Sequence, residues 1–553
     1  GSLGKKHRES VRNNSIQTAL SFSFVDEEPN ENKTIPYGLI RTVRHYLDFI
    51  GLLKFLRSLK REVKKAPRLD LIVIALITYA LYADNSMDAC SRWLEDPSVR
   101  RAIGFKKTDS VSQITIDRAL KKLGDNRERI LEVLWKGITD RFEIDDYDVA
   151  VDGSAVILYG PKSKMGALGH PRDGGPSDLQ VEFTVAILTQ LDIPIYIRPF
   201  AGNISDEEQY REAIPEITSL ITNNGIRGLD DYKKQGLELA SLATMAKVGA
   251  MIIADNGAAS AENIERAKKV GDSMLTRVKM NRSDDRIIEE RIHEFEYLSE
   301  FDVFCYRHTF DSSGRTNYLF FSMDLFNASL SKVMKSVNRG IRDYNYIQEK
   351  GMHRSKFGRV RQIPGYTATL TIERIEDFDI SVYSEEYVHQ LAMEKVGIRG
   401  GFFKLSSTEE MPPEEALRKY RQRGLVEHTI SSLKRISGIK PLRVWADASI
   451  EGSMILALLA EAALSMARYC AGKKFRNVDA RSGRKATSYV ASTKTVALEL
   501  GHLTLTSFRH ESKRYDSVLS NWTPLTEAIF SDIHEHEAPE WGHKKIPTTG
   551  RSA

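Results

Sequence analysis

Cysteine is nearly absent. Cys90, Cys305 and Cys470 are the only three in 553 residues. They lie far apart, with no CxxC pair and no zinc spacing, which excludes a disulfide scaffold and a cysteine-held structural metal. Buried free thiols in a reducing compartment fit this usage. Long apolar runs are missing too. The runs at 71–83 and 454–468 are too short, or too interrupted by Glu461, to span a membrane, and read as buried helices. No secretory signal is visible, no membrane partner is expected, and Gly1-Ser2, without a Met, reads as a cloning remnant. Tryptophan is missing between Trp135 and Trp445. An excess of one charge is also missing: 80 Lys and Arg against 75 Asp and Glu leave only +5. That sum does not by itself nominate a nucleic-acid binder.

What is present is an ordinary globular balance, 41% hydrophobic and 28% charged, with length for more than one domain. Charge is clustered locally. Lys54, Arg57, Lys60, Arg61, Lys64, Lys65 and Arg68 face one acid, Glu62, and a second cluster runs from Lys473 to Lys485. Such stripes suit a phosphate backbone, and equally a solvated helix face.

Residues 1–35 are polar and aperiodic and read as a flexible arm. From 36 to 145 apolar residues recur at three and four, in 38–59, 69–83, 87–97 and 112–137, which predicts a helical N-terminal domain for DNA binding or dimerisation. The segment 108–123 suits half of a helix-turn-helix or one helix of a plain bundle, with the bundle favoured.

The texture changes near residue 147. Strands are expected at 148–152, 181–189 and 193–200, the last two joined as a hairpin by Gln190, Leu191 and Asp192. A helix opens at Ser205-Asp206, an apolar strand ends at Asp255, and a helix at 260–270 and a strand at 273–279 follow. This order predicts an α/β core, with 146–279 as its first part. Strand-like pieces at 301–306, 316–322, 366–372 and 379–383, around a basic helical stretch at 326–350, mark 280–398 as a β-rich insertion. The core then resumes over 399–471, with one long helix at about 412–436 and an apolar one at 450–470, and 472–553 is a C-terminal extension.

The helix at 412–436 carries the most specific signal. Tyr420, Arg423, Glu427 and Lys434 are separated by three, four and seven residues, steps that return to one helix face. A carboxylate thus sits among a phenol, a guanidinium and an ammonium, fit to hold a metal and grip phosphates. The bland alternative is a surface ion pair between Arg423 and Glu427. The four-residue spacing arises by chance in about one chain in a hundred at average residue frequencies.

This spacing resembles the Tyr-Arg-Glu-Lys signature of the IS4-type DDE transposases, including the related IS1634 group. Ala150-Val-Asp152-Gly-Ser resembles the strand of their first catalytic Asp, and Ile253-Ala-Asp255-Asn-Gly that of the second. The loop Gly169 to Gln180 and the turn Phe200 to Asp206 resemble two further family segments. The resemblance spans roughly 148–470.

It implies an RNase H-like catalytic core, with a β-containing insertion between the second Asp and the Glu, behind the helical N-terminal domain. It assigns Asp152, Asp255 and Glu427 as catalytic residues and ligands of two Mg²⁺ or Mn²⁺ ions, which would serve an in-line phosphoryl transfer. Tyr420, Arg423 and Lys434 would contact DNA phosphate near the cut. His170 and Arg172 are candidates for flanking DNA, with loop decoration the favoured reading, and Lys60, Arg61, Lys64 and Lys65 are candidate DNA contacts from the basic stripe alone. The implied partner is double-stranded DNA with terminal inverted repeats, bound by a homodimer in a synaptic complex, in the cytoplasm of a prokaryote, associated with the nucleoid. The resemblance leaves two alternatives: a Mg²⁺-dependent nuclease, and a domesticated DNA-binding protein without catalysis.

Asp146, Asp148, Asp178, Asp206, Asp230 and Asp231 compete weakly for the ligand roles. Two departures stand out. Gly424, a poor helix former, replaces a Trp found in many relatives and predicts a loosened helix. With no Trp in the insertion, an aromatic wedge for a DNA-hairpin route would fall to a residue such as Tyr344 or Phe357.

Overall fold

The computed structural model describes residues 31–59, 66–84, 86–159, 163–169, 175, 177–225, 250–258, 260–269, 272–310, 314–351, 353–361, 363, 383–482, 491–509 and 515–536. The chain divides into two compact units, one made of 1–250 with 422–553 and the other of 251–421. The architecture is mixed α/β behind a helical N-terminal region, consistent with the RNase H-like core expected.

The first unit opens with strand β1 (Glu31–Ile35) and seven helices: α1 (Tyr37–Phe49), α2 (Leu52–Ser58), α3 (Leu69–Tyr82), α4 (Met87–Trp93), α5 (Pro97–Ile103), α6 (Gln113–Gly124) and α7 (Arg127–Arg141). The expected helix at 38–59 is broken at Gly51, whose φ of 78° is a left-handed conformation that glycine adopts without strain. The expected helix at 112–137 is likewise two, α6 and α7. Ser112 caps α6, its hydroxyl accepting from the Thr115 amide. Ile116, Ala119, Leu120 and Leu123 of α6 are buried, the inward face of an amphipathic helix.

Then come β2 (Asp148–Ile157), β3 (Gln180–Leu188), β4 (Ile193–Ala201) and α8 (Asp206–Gly225). The three strands form an antiparallel sheet with β3 between β4 and β2. All nine residues of β3 are buried, as a strand covered on both faces requires. The hairpin is where the sequence put it, with Asp192 at φ 52° in its turn. In register, Asp152 opposes Val185 and Ser154 opposes Phe183.

The second unit starts with β5 (Met251–Ala254), α9 (Ala261–Lys269) and β6 (Ser273–Val278), and β5 and β6 pair in parallel. It continues through α10 (Arg282–Arg291), β7 (Glu296–Leu298), β8 (Val303–Phe310), β9 (Arg315–Phe321), α11 (Met323–Lys350), α12 (Arg354–Val360), α13 (Glu385–Val396), β10 (Phe402–Ser407) and α14 (Pro413–Arg421). Strand β10 lies antiparallel between β6 and β9, and β8 and β7 extend the sheet. Its apolar core includes Ile253, Leu275, Tyr318, Phe320, Leu405 and Leu417. Of the strand pieces expected in 280–398, the first two are β8 and β9. The pieces at 366–372 and 379–383 lie outside the described residues, save Tyr383. The basic stretch is the 28-residue helix α11.

The first unit resumes with α15 (Arg423–Arg435), α16 (Asp447–Ser482), α17 (Thr493–His502), β11 (Thr504–Arg509), β12 (Tyr515–Ser520) and α18 (Pro524–His536). Strands β1, β11 and β12 make a small antiparallel sheet. Helix α16 is the core of this unit and packs against α6, β4, α1 and α18. Its stretch Asp447–Lys473 is, contrary to the sequence reading, long and apolar enough to cross a membrane, but 83% of that window is buried against protein, as in a core helix. Cys90 and Cys305 are buried free thiols and Cys470 is partly buried.

Candidate active site

Strand alternation puts Asp152 and Ser154 on one face of β2, and α15 packs across β2 and β3. Steps of four and seven put Arg423, Glu427 and Lys434 on one face of α15. The two faces meet through two contacts, and a third lies within α15. Arg423 Nη2 donates to Asp152 Oδ2 at 3.2 Å. Arg423 Nη1 lies 2.9 Å from Glu427 Oε1. Lys434 Nζ donates to Ser154 Oγ at 2.8 Å. Asp152 Oδ1 also accepts the Gly153 amide at 2.9 Å. One guanidinium thus joins two carboxylates. The Asp152 side chain is 15% exposed and that of Glu427 55%, so the cluster grades from a walled floor to an open rim. The bland reading of Arg423 and Glu427 as an ion pair is also present, with Asp152 as a third member.

The single helix expected at 412–436 is interrupted. Helix α14 ends at Arg421, α15 begins at Arg423, and the Gln422 carbonyl accepts from the Leu425 amide at 2.9 Å, a tighter turn than an α-helix makes. Gly424, two residues on, lowers the helical cost of that break. Nothing crowds it: a Cβ added there would meet no atom within 4 Å. Tyr420 falls on α14, where its ring packs against the apolar core of the second unit. Arg423, Glu427 and Lys434 thus share a face of α15, while Tyr420 lies on α14.

Asp255 belongs to the second unit. It follows the four buried residues of β5. Its Oδ1 accepts the Gly257 amide at 2.9 Å and its carbonyl accepts that of Ala258 at 3.2 Å, so the carboxylate caps the tight turn that follows the strand. Among the described residues no three His, Cys, Asp or Glu are gathered so as to hold a metal ion. His170, Arg172, Lys60, Arg61, Lys64, Lys65, Asp230 and Asp231 lie outside the described residues. Asp178 accepts from the Gly175 amide at 2.7 Å, and Asp206 opens α8. Tyr344 and Phe357, named as possible wedges, are 7% and 6% exposed inside the α11–α13 cluster and present no free ring.

Sequence reading missed what stands behind α15. Glu461 of α16 is 1% exposed and accepts the Ser432 hydroxyl at 2.6 Å, while Ser432 Oγ and Thr493 Oγ1 lie 3.2 Å apart. Burial pushes the Glu461 carboxyl up to about 7, against the opposing pull of the Ser432 and Thr493 hydroxyls and of Arg468. Since the folded state holds this proton more tightly than the unfolded chain, its contribution is fully present below the ordinary pKa of 4.5 and is lost as pH rises to about 7. The loss is about 3 kcal/mol at one pKa unit per 1.36 kcal/mol. Urea unfolding of Glu461→Gln should therefore lack a decline that wild type shows between these pH values. Parallel curves would show that Glu461 titrates normally.

Residues 230–460 match the transposase DDE domain. The match supports a DDE transposase and contains Asp255, Tyr420, Arg423, Glu427 and Lys434, whereas Asp152 lies outside it. It covers less than half of the chain and does not reach down to the IS4-type group. No curated protein matches the sequence. Among solved structures, the cryo-EM structure of the piggyBac transposase synaptic complex with hairpin DNA aligns over 94% of this chain and 87% of that one, at 12% identity and a TM-score of 0.34. A likeness this distant carries no argument about the transposase domain's substrate or assembly.

Proposed function

We propose that this chain is a DNA transposase that cleaves and joins DNA ends by phosphoryl transfer, with Asp152, Asp255 and Glu427 as its catalytic carboxylates. The observation that supports this most is the sharing of Arg423 by Asp152 and Glu427. Two carboxylates that converge on one cation form a donor set suited to a hard divalent ion, and oxygen ligands favour Mg²⁺ or Mn²⁺. Asp152, Asp255 and Glu427 would hold two such ions, whose chemistry is to make water or a DNA 3′-hydroxyl nucleophilic and to stabilise the departing oxygen.

The chain's own residues then bind and orient. Arg423 is released from its carboxylates to grip a phosphate oxygen, and Lys434, set by Ser154, grips a second. In cleavage, water forms the new bond to phosphorus and the 3′-oxygen departs with a proton. In joining, that 3′-hydroxyl attacks a target phosphate and releases the target's own 3′-oxygen. No side-chain base is needed. The substrate on this reading is duplex DNA with terminal inverted repeats, paired by a homodimer in a synaptic complex, in a prokaryotic cytoplasm. The IS4-type group is the subgroup that its motifs favour.

The test is nicking of a labelled duplex that carries the element's terminal repeat. Wild type should nick at the repeat boundary with Mg²⁺ or Mn²⁺ and not with EDTA. Asp152→Asn should lose at least a hundredfold in rate. Metal-independent nicking, or an undiminished Asp152→Asn, would overturn the mechanism. Binding without cutting under every metal would favour a non-catalytic DNA-binding protein.

A further inference from the structure

Helix α11 uses one seam and leaves another open. Val337, Gly340, Tyr344 and Ile347, at steps of three, four and three, are buried, and the helix packs there against α12 and α13. On a different face, Lys332, Lys335, Arg339, Arg342 and Tyr346 follow steps of three, four, three and four, and all five are exposed. Among the described residues none of the four cations has an ion-pair partner. They occupy about 15 Å of helix at 1.5 Å per residue.

The acids of α11 do not cancel them. Asp343 is 7% exposed and committed to Lys356 and Arg359 of α12. Asp324 stands two turns before Lys332, and Glu349 two turns after Arg342. Lys356 Nζ, paired with Asp343, also sits 3.8 Å above the Tyr346 ring at the stripe's end.

We propose that this stripe of α11 is a track for the phosphate backbone of duplex DNA, outside the chemical site and without base readout. The choice of DNA rests on the transposase reading. The flanking side chains agree with it: Ser331, Ser336, Asn338 and Asn345 are exposed and are hydrogen-bond donors of the kind that meet phosphate oxygens. A membrane surface would ask for a broad apolar face beside the cations; from 331 to 342 the other exposed side chains are Ser331, Ser336 and Asn338, and the exposed Leu325 stands two turns before Lys332.

The experiment uses the full chain with K332E/K335E/R339E/R342E, and binding of a fluorescent duplex of arbitrary sequence is followed by anisotropy across a salt series. Each phosphate contact contributes about 0.9 to the slope of log K against log salt. The variant should thus lose about 3 to 4 units of slope and at least tenfold in affinity near 0.1 M salt. Circular dichroism and unfolding should stay as in wild type, because these side chains are exposed and have no ion-pair partner among the described residues.

A variant with unchanged slope and affinity would overturn the track while leaving the transposase reading intact. Failure of wild type to bind any duplex would overturn both. Loss of binding to phosphatidylserine vesicles with DNA binding unchanged would reassign the stripe to a lipid surface.

Discussion

Glu427→Gln is expected to lower metal-dependent nicking by a factor of a thousand or more, about 4 kcal/mol of transition-state stabilisation, and to leave fold stability within about 1 kcal/mol. The two halves of this expectation have different physical sources. Gln keeps the shape of Glu and an oxygen that can still accept from Arg423, but it removes the negative charge a divalent cation needs. Glu427 is 55% exposed, so its pairing with Arg423 is heavily screened and adds little to folding. Binding of uncut DNA should hold or improve, since one negative charge leaves the surface that the proposed function turns toward phosphate. Gel-shift, nicking and thermal unfolding measured on the same preparation separate the three quantities. Equal nicking by variant and wild type would reduce Glu427 to a surface ion pair, and lost binding with lost folding would make it a structural residue.

How far the sequence reaches can be judged from particular elements. The strands at 148–152, 181–189, 193–200 and 249–255 were legible because apolar runs bounded by turn residues leave few alternatives, and the hairpin turn at Asp192 followed from its three-residue gap. The meeting of Arg423, Glu427 and Lys434 was legible as helix periodicity. Its partner face was half legible: Asp152 was named, while Ser154, two residues along the same strand and so on the same face, was passed over.

The break at Gln422 was not legible. Gly424 signalled weakness, but the turn that replaces the helix lies two residues earlier, where nothing in the local sequence forbids a helix. Glu461 was read only as an interruption of an apolar run. Its partner Ser432 is 29 residues away on another helix, and a pairing set by tertiary packing leaves no periodic trace.

Gly452→Ala should destabilise the first unit by about 3 kcal/mol or more, even though Gly to Ala inside a helix ordinarily stabilises by about 1 kcal/mol. The reversal comes from backbone contact. A Cβ at Gly452 of α16 would lie 1.8 Å from the Leu120 carbonyl oxygen of α6, and one at Gly124 of α6 would lie 2.0 Å from the Ala448 carbonyl oxygen of α16. The obstructing atoms are main chain on both sides, so no rotamer change relieves the clash and the helices must part. Parting would open the apolar face formed by Ile116, Leu120 and Leu123, which are at most 4% exposed. A control lies in the same helix: a Cβ at Gly472 meets nothing within 4 Å. Gly472→Ala should then show the ordinary helix gain, a few tenths to 1 kcal/mol. Chemical unfolding of the two variants beside wild type decides the point, because helix propensity alone predicts the same sign for both and close packing predicts opposite signs. If both variants gained stability, α6 and α16 would not touch at Gly452, and the α6–α16 seam described above would be wrong.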